Sequence, residues 1–169
     1  MDAFGRYWLK WPSLEFLMSQ NWAWPTAETF HFVGLCLLFG VVGLYDLRVL
    51  GIGKGLPLSS LKRLLPWGVF GFVLCVVTGL LFTLGIGANL IGDNAYDVIM
   101  RDIYLQLKLL FMALAGLNLL AFYLTGTAQV VDAVGAGDDA PPLAKTIAAI
   151  SLVSWTAVIV FGRLIPVGL

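Results

Sequence analysis

AETFHFVGLCLLFGVVGLYDLR, residues 27–48, is an apolar run closed by Asp46 and Arg48, and it contains the only histidine of the chain, His31. A helix needs about 20 mostly apolar residues to cross the ~30 Å of bilayer hydrocarbon, and this run supplies them. An imidazole placed in hydrocarbon costs free energy unless it is hydrogen-bonded, paired or bound to something. His31 therefore raises a question of function as well as of fold.

The rest of the chain has the same character. Of its 169 residues, 60% are hydrophobic and 12% charged, with a mean hydropathy of +0.92. Soluble domains carry roughly a quarter charged residues, so the composition is that of a membrane protein. The formal net charge is zero, which gives no reason to expect a nucleic-acid partner. Four segments have spanning length: about 26–47, 64–85, 104–125 and 145–165. None shows the short polar–apolar alternation of barrel strands. The expected fold is all-α: an integral membrane four-helix bundle over residues 26–169, preceded by an amphipathic interfacial segment over residues 1–25. In that segment Trp8, Trp11, Trp22 and Trp24 sit beside Arg6, Lys10 and Glu15, as suits the headgroup level. It lacks a continuous apolar h-region and a small-residue cleavage site, so no cleaved signal peptide is expected.

Lysine and arginine set the expected orientation. Arg48, Lys54, Lys62 and Arg63 follow the first span, whereas the second connection is acidic, with Asp93, Asp97 and Asp102 around Arg101. The first connection then faces the cytoplasm, and both termini face the periplasmic side of a bacterial inner membrane. The third connection is also acidic and opposes this assignment. Residues 126–144, rich in Gly, Ala and Asp with Pro141-Pro142, read as a flexible surface loop. Ser59 and Ser60 suggest a short surface helix running into span two. Thr26 is the expected N-cap of span one, with Glu28 in its first turn. Gly71, Cys75 and Gly79 form a small-residue seam for close helix contact, and both Cys36 and Cys75 read as small core residues.

Depth along the helices, at ~1.5 Å per residue, brings polar groups of three spans to one level. Glu28, His31, Lys108 and Arg163 share an outer layer, with Arg101 just before span three. Each also has a structural role open to it. Lys108 and Arg163 can snorkel to the headgroups, Glu28 can serve the helix N-terminus, and His31 can bond a carbonyl or Glu28. Lys108, Met112, Ala115, Asn118 and Phe122 line one face of span three, and Asn118 is expected to hydrogen-bond a neighbouring helix. Trp155, Ser151 and Ser154 are similar on span four. Asp46, Arg48, Lys62 and Arg63 read as an ion-pair cluster at the inner end.

Three functions can use such a layer. His31 can ligate the iron of haem b, with Lys108, Arg163 or Arg101 on its propionates and Met112, or His31 of a second subunit, as the second ligand. A quinone headgroup can instead use His31, Glu28 and Lys108 as hydrogen-bond and proton partners. In the third, the chain is a non-catalytic membrane anchor or assembly subunit. The expected function is an electron-transfer subunit of the membrane, a homo-oligomer or part of a larger complex, with a periplasmic redox partner.

The series AETFHFVGLCLLFGVVGLYDLRVLG, LLPWGVFGF, LKLLFMALAGLNLLAF and GRLIP resembles an uncharacterised family of bacterial four-helix inner-membrane proteins. The resemblance covers residues 20–165, and ExxH…DLRxLG is its most specific part. It implies four spans and draws attention to Glu28, His31, Asp46 and Arg48, with no established activity. In shape and in its span-one histidine the chain is also similar to small membrane cytochrome b subunits and to copper-resistance-type four-helix proteins. Phe122 and Tyr123 stand where a second intrachain histidine would be needed for bis-histidine haem.

Overall fold

The structure is a computed structural model that describes residues 12–85 and 95–168. Among the described residues every regular element is a helix. In chain order they are α1 (Pro12–Met18), α2 (Ala23–Val49), α3 (Leu58–Lys62), α4 (Leu65–Leu84), α5 (Ala95–Arg101), α6 (Ile103–Leu124), α7 (Thr127–Asp132) and α8 (Pro142–Gly168). Four stretches are long and apolar enough to cross a membrane: Ala23–Val49, Leu58–Leu84, Ile103–Leu124 and Pro142–Val167. Their large apolar side chains point mostly outward, among them Phe32, Phe70, Leu117 and Val153. A surface of that kind is stable against lipid tails and not against water. The chain is therefore a multi-pass, all-α membrane bundle.

The bundle is two helix hairpins. α2 packs against α4 and α6 against α8, and the pairs meet chiefly where α8 touches α2. Small residues decide how close the first pair comes. A Cβ added at Gly71 would lie 2.6 Å from the Gly34 carbonyl oxygen and 2.7 Å from the Leu38 amide nitrogen. The two backbones thus cross in direct contact, as a small-residue seam allows. Cys75 continues this crossing, whereas Cys36 is exposed on the outer surface of α2, so only one cysteine packs between helices.

The first and third connections lie at one end of the bundle, the connection end; the start of α2 and the end of α8 lie at the other, the terminal end. The third connection is not the flexible loop that its composition suggests. Its Thr127, Ala128 and Val131 are buried in α7, and Val131 joins Tyr45, Val49, Leu58, Leu61 and Ala144 in one apolar cluster. Its acidic side chains meet lysines of the first connection and of α8. Lys54 pairs with Asp139 at 2.8 Å, Lys62 with Asp132 at 2.5 Å and Lys145 with Asp139 at 3.0 Å. Asp132 and Asp139, two of the acidic residues that opposed the orientation reading, are thus each paired with a lysine of the first connection. The short surface helix expected at Ser59 and Ser60 is α3.

Helix starts differ from expectation. α2 begins at Ala23, with Trp22 at the N-cap and no side-chain cap, so Thr26 and Glu28 lie inside it. Pro25 is compatible with this earlier start, because the first turn needs no amide donor there. α6 has a true cap that hydropathy does not signal. Asp102, fully buried, accepts hydrogen bonds from the Tyr104 and Leu105 amides at 2.8 and 3.2 Å, which contributes about 1 kcal/mol. Of the expected interfacial segment, residues 1–11 lie outside the described residues. Met18 of α1 is buried with Ala23 and Ala27, and Phe16 is exposed.

Candidate functional site

The terminal half of the bundle holds His31, roughly 12 Å along α2 from its start. Its ring is half-buried, edge-on to Phe82 at 5.5 Å, and its Nδ1 lies 2.7 Å from the Thr78 hydroxyl on α4. Thr78 also lies 2.7 Å from the Leu74 carbonyl one turn back, which can only accept. A hydroxyl has a single proton to give. With that proton on Leu74, Nδ1–H donates to Thr78 and the Nε2 lone pair of the neutral ring is left free. This tautomer is assigned from the hydrogen-bond network. Cys75 Sγ donates to the His31 carbonyl at 3.5 Å and ties the same two helices.

Lys108 reaches the same level from α6. Its side chain is half-buried and lies across Gly162 of α8, where an added Cβ would stand 3.4 Å from Nζ. Its ammonium is within electrostatic range of His31 and Cys75. No carboxylate pairs with His31 or Lys108 among the described residues. The expected layer is therefore only partly assembled. His31 and Lys108 converge, while Glu28 is exposed on α2, Arg163 is exposed near the end of α8, and Arg101 is exposed at the end of α5. The one-turn spacing of Glu28 and His31 does not bring them to one environment. The ring meets Thr78 of α4, whereas Glu28 is exposed and makes no hydrogen bond or ion pair with His31.

The connection half is built differently. A cavity of about 370 Å³ lies among the four spans, between α4 and α6, which do not pack against each other. Met112, Asn118 and Phe122 of α6 line it, as do Ser151 and Trp155 of α8 and Tyr45 and Asp46 of α2. His31 is not in its wall, so Met112 belongs to this cavity and not to the His31 surroundings. Asn118 donates to the Ile147 carbonyl at 3.0 Å, the interhelical bond expected of it.

The expected pairing of Asp46 with Arg48 is corrected here. Arg48, only 1% exposed, turns its guanidinium to the Leu56, Gly135 and Asp138 carbonyls at 2.7, 3.0 and 3.4 Å. Lys62 is committed to Asp132. Asp46 faces Ser151, and its Oδ2 is buried with no hydrogen-bond partner among the described residues. Two residues apart on a helix are about 200° apart around the axis, so the two charges leave α2 on opposite sides. The open Asp46 oxygen is the feature the sequence reading missed, and DLR alone carries no signal for it. Among the described residues no group of three or more metal-ligating His, Cys, Asp or Glu side chains occurs.

No protein-family model, curated protein or solved structure matches the chain.

Proposed function

We propose that the chain is an integral membrane subunit for electron transfer that binds a quinone headgroup in the terminal half of the bundle through His31 and Lys108. A single observation supports this reading: two intramembrane nitrogen groups from different helices share one level, neither with a carboxylate partner. Intramembrane ionisable groups are costly and commonly mark function. A quinone presents two acceptor oxygens, and the Lys108 ammonium can donate to one of them. The reduced form presents hydroxyls, and the free lone pair of His31 Nε2 can accept from one of those. Thr78 fixes the ring that does so. The positive-inside reading puts this level at the outer face, where electrons would pass to a partner redox protein.

A second reading is favoured by the same tautomer. A lone pair at Nε2, with Nδ1–H held by a neighbouring oxygen, is the arrangement of a metal-ligating histidine. In it His31 would hold haem b and Lys108 would pair with a propionate, and haem would supply one-electron chemistry. The test separates the readings. Titration of decylubiquinone into the purified protein in nanodiscs is expected to show saturable binding, weakened about tenfold by His31→Ala or Lys108→Met, the ~1.4 kcal/mol of one hydrogen bond. A reduced-minus-oxidised spectrum with a sharp alpha band lost in His31→Ala supports haem. Neither signal, from folded protein purified with haem available, leaves the membrane anchor or assembly subunit.

A further inference from the structure

The connection-half cavity is a second site, separate from the His31 level and independent of the quinone reading. We propose that it binds a small organic cation carrying a ring or alkyl groups, with Asp46 as the counter-charge. Four observations carry this.

Asp46 is 7% exposed, lines the cavity, and leaves Oδ2 without a partner. A buried carboxyl with an open oxygen is costly in a low-dielectric interior and is relieved by a donor or a cation. The chain's own nearby cations are committed elsewhere: Arg48 to three carbonyls, Lys62 to Asp132, and Lys54 and Lys145 to Asp139. Among the described residues no cation of the chain pairs with Asp46, so an ionised Asp46 is open to a cation from outside.

The wall around that carboxyl is aromatic. Tyr45, Phe72, Phe122 and Trp155 line the cavity, and Phe72 meets Trp155 edge-on at 6.0 Å. Ring faces attract cations, indole most strongly, and the attraction grows where water is excluded. One carboxyl in an aromatic wall selects for a positive head with apolar substituents. A bare metal ion would find too few oxygens, and an anion would meet Asp46 directly. The volume, about 370 Å³, lies in the range of small-molecule sites. Val69 of α4 and Leu119 of α6 line the cavity and are exposed on the outer surface, so an amphiphilic cation can enter from the lipid.

The experiment is a calorimetric titration of trimethylphenylammonium into the full chain in phosphatidylcholine nanodiscs. Saturable one-to-one binding is expected, with no binding of benzenesulfonate, which has the same ring and the opposite charge. Asp46→Asn is expected to weaken binding at least tenfold, Asp46→Glu to retain it within a few-fold, and Trp155→Leu to weaken it several-fold. His31→Ala is expected to leave it unchanged, so this site and the quinone site fail or stand separately. Absence of saturable binding by wild-type protein overturns the proposal, as does equal binding of benzenesulfonate. So does unchanged binding by a folded Asp46→Asn variant. If that variant does not fold, the wild-type comparison of the two ions decides alone.

Discussion

The two halves of the bundle solve opposite problems with the same four helices. In the terminal half, α2 and α4 are in backbone contact at Gly34 and Gly71, and the half-buried His31 and Lys108 have no carboxylate partner among the described residues. In the connection half, a cavity opens between α4 and α6, and the Asp46 carboxyl in its wall has an open oxygen, as the Asp102 cap of α6 also has at the other end. Arg48, which could have neutralised Asp46, is used to hold two connections together. The two halves thus differ in kind, with two nitrogen groups lacking a carboxylate partner at the His31 level and an open Asp46 oxygen beside the cavity. Neighbouring charges in a membrane helix need not be partners; the side of the helix decides.

The largest expected effect tests the role of Arg48. Arg48→Met keeps apolar volume but leaves the Leu56 and Gly135 carbonyls without their donor, in a segment where water is scarce. Hydrogen bonds to charged groups contribute about 1.5–3 kcal/mol each, so a loss of roughly 3 kcal/mol or more is expected in thermal unfolding. Arg48→Lys should recover only part of it, because an ammonium cannot span carbonyls arranged for a planar fork. Full stability of Arg48→Met would mean that the connections hold without the guanidinium.

Next comes the helix contact of the terminal half. Gly71→Ala places a methyl group against the backbone of α2, which cannot yield as a side chain tip can. Overpacking of this kind costs about 1–3 kcal/mol. Gly116→Ala on α6 meets nothing within 4 Å and should be neutral or slightly stabilising. Equal effects of the two variants in unfolding by denaturant would show that the seam is not the closest contact. A smaller effect is expected from Thr78→Val, which leaves His31 Nδ1 without its acceptor at a cost of about 1 kcal/mol. It should also weaken decylubiquinone binding, because the ring loses its fixed orientation, and leave trimethylphenylammonium binding unchanged.

How much of this was legible in the sequence follows from what each signal measures. Hydropathy reports burial in lipid, and the four spans were found to within a few residues. It is blind to caps and short starts, so the three extra residues of α2 and the Asp102 cap of α6 escaped. Depth along an axis is also legible, and it brought His31 and Lys108 to one level. Rotation about that axis is not, since every span is apolar on most faces and has little amphipathic direction to read. Asp46 and Arg48 therefore part. Composition misled at residues 126–144 because Gly and Ala suit close packing as well as flexibility. Val131, fully buried, was the residue there that pointed to order.

The smallest effect probes the connection end from its surface. Lys54 and Lys145 both bond the Asp139 carboxylate and lower its pKa from the usual 3.8 to about 2. A carboxyl whose pKa is depressed by folding adds stability that is complete above its unfolded value and is lost as pH falls through its folded value. The contribution should thus be present above about pH 4 and fade between pH 4 and pH 2. Asp139→Asn is expected to flatten that part of the stability curve and leave the neutral plateau almost unchanged. The effect is small because the side chain is 54% exposed and such pairs are screened by water and salt. Raising the salt concentration should shrink the difference between wild type and variant further. Replacing Arg48 should remain as costly, since its partners are carbonyls in a buried site. A salt-sensitive Arg48 variant beside a salt-insensitive Asp139 variant would reverse the order of the two contacts and put the main fastening of the connections at the surface.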